Sequence, residues 1–568
     1  MRSLGLAWLI FIVVFAGLLI APVTRDVLRV EGSTLCPFAS LHGLYPASAA
    51  DFYEKQRSPL LRRLLAKAVA QHPGDWRILL GTGLLLEGEK ESLAYLEKAV
   101  QLAPDHPETL MALSLAQMRP LTWLRKESSG YGYPLPPDFT EKLLSADQTR
   151  PARESLERLQ SMEVDNAAPK ALLASLKFGE RRDAEAIALL KAAVSEPRLN
   201  FYHLEMLQAR TRALKAARLP SFEATVMAFY EIPFHHFARL REVARILSYK
   251  AMEAKEAGRD KETIEDWMTT IRLGRVMRYQ AAIFIEALVG NAIEAIGAAP
   301  AYKRHRMKQA AKEGLISVSE LARTPGRFNG GDIFKGKQHD YFLKHAGATV
   351  AGDVFASLEQ ANKFKNLLRE YLEKTNIARL LQRAVLLIAP GTVMLGQILI
   401  LAAVMVLLGL IPWGKTQGSS RLHNAWTALV ALIALAPAVF FWVYQALPRE
   451  PSGQEYGEAF ALFRSPAHRA GLFLLPALFV LLIAALLLRL RRTNTDSLGL
   501  IIIRLLRQVV PVSLILLVVA FAGIVLQTAM LRGQTTAALE AKMTGGEMAQ
   551  ICAEHPEFFH PPRAQQPK

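Results

Sequence analysis

What this 568-residue chain lacks is recognisable chemistry. HExxH and CxxC are absent, so the spacings that bring side chains together on a zinc ion are missing. No serine sits in a GxSxG elbow, and no glycine run fits a phosphate loop. Cysteine is reduced to Cys36 and Cys552, enough for one disulfide at most. Alternating β-branched runs long enough for a sheet are missing too, which points to an all-α chain. Neither a recognition motif nor interleaved stacking aromatics accompany the basic residues, which argues against nucleic acid as a partner. The expectation is a protein with no catalytic residue, no cofactor and no metal.

Long apolar runs are abundant instead. Leu4–Val23 carries no charge, and at 1.5 Å per residue it matches a hydrocarbon core of roughly 30 Å. It exceeds the usual apolar stretch of a signal peptide, and no small-x-small cleavage site follows cleanly. An uncleaved signal anchor over residues 1–24 is therefore expected. Four further runs, Ala384–Ile411, Ala425–Leu447, Ala470–Leu488 and Gln508–Leu531, make a four-helix transmembrane region over residues 384–531. Residues 532–568 are left as a C-terminal tail, and the total is five spans. Trp413, Trp426, Trp442 and Tyr444 fall near span ends, where amphipathic rings favour the interface. Pro390, Pro437, Pro476 and Pro511 place one proline in each later run, as helices around a cavity do and as ordinary membrane helices also do.

Loop charge sets the orientation. Pro412–Asn424 carries Lys415 and Arg421 with no acid, and Arg489–Arg507 carries five arginines against Asp496 alone. Lys and Arg resist translocation, so both loops are expected in the cytoplasm. With five spans the N-terminus is inside, while residues 45–375 and the C-terminus are outside a membrane of the bacterial inner type. Arg25, Arg29, Arg379 and Arg383 then flank the large domain on its outer side, which long translocated domains tolerate. The net charge of +17 comes partly from the cytoplasmic loops. Another part comes from Lys303–Lys312, either a solvated helix face or a contact for anionic headgroups.

Residues 45–375 read as helical almost throughout. Leu60, Leu64, Leu65 and Ala68 recur at helical spacing, while Pro and Gly cluster at joints such as His72–Gly74, Pro104–Pro107 and Tyr131–Pro137. Asp75–Pro107 reads DWRILLGTGLLLEGEKESLAYLEKAVQLAPDHP. With Trp76 and Gly81 in a first helix, a turn at Gly88, Leu96 and Ala99 in a second, and Pro104 at its end, it resembles a tetratricopeptide repeat. The turn is one residue short, and Ser92 stands where the pattern has alanine. Phe178–Pro197 echoes the pattern through Ala184, Ala188, Leu190 and Ala193, and Tyr249–Leu273 echoes it more weakly around Gly258. The resemblance implies stacked helical hairpins, an α-solenoid in which Gly81 and Ala99 let the two helices of the first hairpin approach. It also implies a surface that binds a protein or peptide. Tyr131–Pro137 is expected to join two sub-bundles, residues 45–120 and 138–300.

The remaining candidates weigh against chemistry. His235 and His236 are adjacent on a helix, so they point about 100° apart and cannot chelate one metal; a surface pair is expected. His339, Asp340 and His345 lie beside a glycine-rich stretch without phosphate-loop spacing. Cys36 and Cys552 both fall outside in the favoured topology, where a disulfide between them is chemically allowed. Asp353–Lys374 has an apolar stripe and reads as one long helix, either a stiff connector into the bilayer or a helix packed on the domain base. The expected function is that of a membrane-anchored scaffold or interaction protein without catalytic activity. The other reading is a transport-related, permease-like subunit that couples domain movement to the spans.

Overall fold

The structure is a computed structural model that describes residues 2–20, 24–25, 27–28, 59–129, 138–219, 221–230, 235–298, 340–374, 395, 398, 401–402, 498–546 and 548–556. Among these residues every regular element is a helix, and strand geometry is limited to two isolated bridges, Leu124 with Lys142 and Asn166 with Arg198. The chain is all-α, as its lack of alternating runs predicts. Its contacts divide it into two compact units, residues 1–61 with 373–538, and residues 62–372 with 539–568.

In the first unit, α1 (Arg2–Ile20) is the described part of the expected signal anchor. Its Phe15 stacks on Phe521 with ring centroids 5.8 Å apart. Phe521 is fully buried with Leu514, Leu517, Val518 and Val525, and Leu395, Ile398 and Leu401 join the same apolar cluster. Among the described helices one is long and apolar enough to cross a membrane, at Val510–Gly545. The expected spans Ala425–Leu447 and Ala470–Leu488, most of Ala384–Ile411, the loop Pro412–Asn424 and residues 489–497 lie outside the described residues, whereas residues 498–507 of the expected loop Arg489–Arg507, with Arg504 and Arg507, are helical.

The second unit begins within α2 (Pro59–Gln71), at Arg62, and continues with α3 (Trp76–Leu85), α4 (Lys90–Leu102) and α5 (Pro107–Met118). A short turn of helix, α6 (Lys126–Ser129), precedes α7 (Ala146–Met162), α8 (Ala167–Gly179), α9 (Asp183–Ala193) and α10 (His203–Ala216). Then come α11 (Ser221–Tyr230), α12 (His235–Glu256), α13 (Asp260–Tyr279) and α14 (Phe284–Ala298). Local sequence explains where they start and stop. The Asp75 carboxylate accepts from the Arg77 and Ile78 N–H groups, and Ser145 and Gln148 form a reciprocal capping box at the start of α7. Gly88 and Gly258 turn the chain at φ +89° and +74°, as both hairpin readings require.

One continuous core runs from Val69 to Ile293, so the two expected sub-bundles are not separate bodies. Leu156 and Leu159 of α7 are buried in the same core as Met111 and Leu115 of α5. The reason lies in α8, whose sequence AAPKALLASLKFG is buried at every position. A helix apolar all round must be surrounded, so it takes partners from both sides. Its two lysines leave the core tip first: Lys170 pairs with Glu196, and Lys177 lies 3.4 Å from Glu185.

Two more helices complete this part of the fold. In α15 (Ala348–Lys374), Ala351, Val354, Ala361 and Phe364 are buried, so this helix packs on the domain base over at least that stretch. The last long helix, α16 (Leu498–Gly545), continues well past the expected span end at Leu531. Its final residues and α17 (Ala549–Glu554) belong to the second unit. The described part of the expected C-terminal tail is thus helical, and from Leu539 on it belongs to the second unit.

Candidate functional site

The repeat residues come together, with one change of partner. Trp76 packs on the core edge, with its ring centroid 4.3 Å from that of His106 and the Arg77 guanidinium 4.4 Å over the same indole. Ala99 is fully buried, and Pro104 lies in the turn after α4. Gly81, however, does not serve the contact inside its own hairpin. A Cβ there would run into the Ala209 carbonyl and lie 2.9 Å from the Ala213 Cβ, both on α10. Gly83 makes the intra-hairpin approach instead, 2.6 Å from Leu96 Cγ by the same construction. Ser92 has a reason too: its hydroxyl donates to the Gly83 carbonyl at 2.8 Å. The second hairpin is also shifted in register, since Ala186, Leu190 and Ala193 are buried whereas Ala184 and Ala188 are exposed.

Two buried ionic clusters pin the helices at either end of the core. Arg125 reaches Glu127 at 2.7 Å, Asp183 at 2.5 Å and the Phe178 carbonyl at 3.2 Å, and Lys250 closes on Asp183 at 2.6 Å. Burial alone would raise the Asp183 carboxyl, but the hydrogen bonds from Arg125 and Lys250 outweigh it and hold it below its ordinary value. Glu127 behaves alike, its burial outweighed by Arg125. At the other end α13 and α14 touch backbone to backbone, because Gly274 and Gly290 face each other. A Cβ on Gly290 would lie 2.6 Å from the Arg278 nitrogen. That approach brings Arg278 to 3.1 Å from Glu294, both without solvent exposure, and Arg278 also donates to Ser357 of α15 at 3.0 Å. Arg275 bridges Glu294 at 3.1 Å and Asp353 at 2.6 Å. Glu294 is therefore the hub that holds α15 on the domain.

The histidines form a third cluster. His236 is not on the surface: it is fully buried, between Phe201, His203 and Phe237. The core closes over it because Phe237 and Leu240, on the same side of α12, face the core. His203 donates Nδ1–H to the Glu286 carboxylate, whose other oxygen accepts from the Ala282 N–H at 2.6 Å and the Ile283 N–H at 3.2 Å. Among the described residues, both ring nitrogens of His236 and Nε2 of His203 have no hydrogen-bond partner. Burial pushes the His236 imidazole well below its usual value, and the neighbouring His203 and His235 push the same way. The His235 ring is part-buried, donating Nε2–H to the Leu115 carbonyl at 3.0 Å with Glu87 3.5 Å from Nδ1.

The C-terminal segment sits beside this cluster. Met548 donates N–H to the Ala282 carbonyl at 3.3 Å, and Met548 and Ile551 are buried with Ala281, Ala287 and Phe364. Gln208 and Lys215 of α10 bind the end of α16 through the Met543 carbonyl at 2.9 Å and the Glu540 carboxylate at 2.8 Å. Cys552 is a free, half-buried thiol raised above its usual value by burial, and Cys36 lies outside the described residues. His345 pairs with Asp260 at 3.3 Å, while His339 and the stretch Lys303–Lys312 lie outside the described residues. Among the described residues no group of three or more His, Cys, Asp or Glu side chains is placed to hold a metal. Sequence reasoning passed over Glu286 and Glu294, yet a signal was present: both are carboxylates in an otherwise apolar, glycine-spaced helix, FIEALVGNAIEAIGA. Comparison with family models, curated proteins and solved structures gives no match to this chain.

Proposed function

We propose that this chain is a membrane-anchored interaction protein whose helical domain presents a TPR-like surface to a protein or peptide outside the cytoplasm, with no catalysis of its own. The observation that carries this reading is the way the domain uses its polar residues. Arg125 with Asp183, Arg278 with Glu294 and His203 with Glu286 each join helices to one another inside a continuous hairpin core. Hairpin arrays of that kind act through their outer faces.

The seat of the C-terminal segment supports the five-span topology. The chain leaves the domain after α15 and is back on it by Leu539. An even number of crossings must separate those points, which four runs between Ala384 and Leu531 provide. The run at Leu4–Val23 adds a fifth. Basic residues around Lys415 and from Arg489 to Arg507, the last two of them in α16, then favour an extracytoplasmic domain in an inner-type membrane, with Lys303–Lys312 available to anionic headgroups. Chemical cross-linking of the full chain in its native membrane tests the reading. A defined envelope protein should be captured through the helical domain, and capture lost on charge reversal of exposed domain residues would support it. Recovery of the chain alone, with turnover of a small molecule, would sink it.

A second reading, a permease-like transport subunit, is favoured by one observation. Phe364 of α15 and Met548 of the C-terminal segment meet in the same apolar cluster, so movement of the domain base would pull on both connections to the spans. Co-purification of a nucleotide-hydrolysing subunit would select it.

A further inference from the structure

The histidine cluster and the C-terminal seat are one connected structure. His236 stacks on His203 with ring centroids 5.1 Å apart and an interplanar angle of 28°. His203 holds Glu286, Glu286 holds the Ala282 and Ile283 N–H groups, and the Ala282 carbonyl receives Met548. Gly546 at φ +88° brings the chain against the same carbonyl, where a Cβ would stand 3.3 Å away. The residue before His203, Tyr202, is held at φ +59°, a conformation a bulky side chain rarely adopts. It is pinned there by Asn200, which accepts its N–H at 2.8 Å, and by Asn166, which accepts the Asn200 N–H at 2.9 Å. The backbone entering His203 is thus fixed, and its imidazole can give way only by turning about its side-chain torsions, which breaks its bond to Glu286.

We propose that the His203–His236 pair is an acid-sensitive latch: protonation of His236 unseats the C-terminal segment, residues 546–554, from the Ala281–Ile283 turn. A proton on His236 puts a charge among Phe201, Phe237 and His203 with no acceptor for either N–H, so the ring must reach water. It leaves by displacing His203, and the Glu286 bonds that shape the Ala281–Ile283 turn go with it. The latch acts on the segment that follows the longest described apolar helix, whatever the number of spans.

The groups around the pair set the sign. His236 and His235 are both held below the ordinary histidine value, burial being the first cause in each. His236 therefore favours the latched state above about pH 6.5, and that contribution fades as pH falls toward its lower folded value; His235, bonded to Leu115 and Glu87, lies outside the latch. Glu87, Arg119 and Arg239 face His235, and Glu286 faces His203. Glu205 of α10 works the other way: burial raises its carboxyl, with Glu108 of α5 and Glu286 adding to the shift. Asp266, pushed up to about 6 by burial, also gains a proton in the folded domain and opposes acid unfolding overall. The effect expected of the latch is accordingly local.

Hydrogen exchange on the full chain in detergent micelles tests this, at about pH 7.5 and about pH 5.5, either side of the ordinary histidine value. After correction for intrinsic exchange, protection of the Met543–Glu554 peptide should fall about tenfold, as one titrating histidine requires, while peptides from α3 and α8 keep theirs. His236→Phe, and His236→Met should the first fail to fold, should abolish the pH dependence. Unchanged protection in the wild type overturns the proposal. So does equal loss across all peptides, which is global acid unfolding, or loss that persists without His236.

Discussion

Gly81 shows how one missing side chain fixes a packing distance. Its helix lies so close to α10 that any Cβ meets the Ala209 carbonyl, a backbone atom that cannot step aside. Gly81→Leu should therefore cost about 1–3 kcal/mol in thermal unfolding of the purified chain. Gly74→Ala, where nothing lies within 4 Å, is the control and should leave stability unchanged. Equal stability of the two variants would show that α3 and α10 do not meet there. Asp183 is the second single-residue case. Replacing it by Asn leaves Arg125, whose side chain is 1% exposed, with Glu127 as its remaining ionic partner. Removing one member of a buried pair costs about 3–5 kcal/mol. The acid dependence follows from the same contacts. Asp183 and Glu127 are held below their ordinary values, so their contribution is complete above about pH 5 and lost as pH falls through the lower folded values. A wild-type melting temperature that ignores pH between about 5 and about 3, or one that Asp183→Asn leaves equally steep, would contradict this account.

Helices α13 and α14 carry the domain's attachment to α15 because two glycines let their backbones touch. Gly290→Leu should push them apart, separate Arg278 from Glu294 and free Ser357, so that α15 loosens while the far hairpin α3–α4 stays folded. Limited proteolysis should then cut within residues 340–374 faster than in the wild type; an unchanged rate there would mean the glycine contact does not hold α15. The same pair of helices shows what a sequence can reveal. Helix positions, the turns at Gly88 and Gly258 and the all-α class were legible because apolar spacing and left-handed glycines act locally. Partner choice was not. Gly81 and Gly83 look alike in the sequence, and only the fold decides that one faces α10 and the other α4. His236 read as a surface residue because adjacency on a helix says nothing about which face the remaining helices cover. The buried clusters stayed hidden for a similar reason, since Arg125 and Asp183 lie 58 residues apart and meet through tertiary packing alone.

At the scale of the whole molecule, the decisive residues are those after Leu531. Read from composition they are a tail; in the fold, α16 continues to Gly545 and α17 packs Ile551 against the domain. The consequence is a constraint on topology that does not depend on counting spans. Residues 62–372 and 539–568 form one unit, so they occupy one side of any membrane the chain crosses. Reporter fusions at Asp138 and after Lys568 should therefore give the same compartment signal. If five spans are right, fusions after Lys415 and after Arg492 should give the opposite one, since each follows an odd number of crossings from the domain. Disagreement between Asp138 and Lys568 would mean that the C-terminal segment does not dock on the domain, and the latch would lose its substrate. Agreement between those two with the same signal at Lys415 would keep the docking, and would remove Ala384–Ile411 from the membrane.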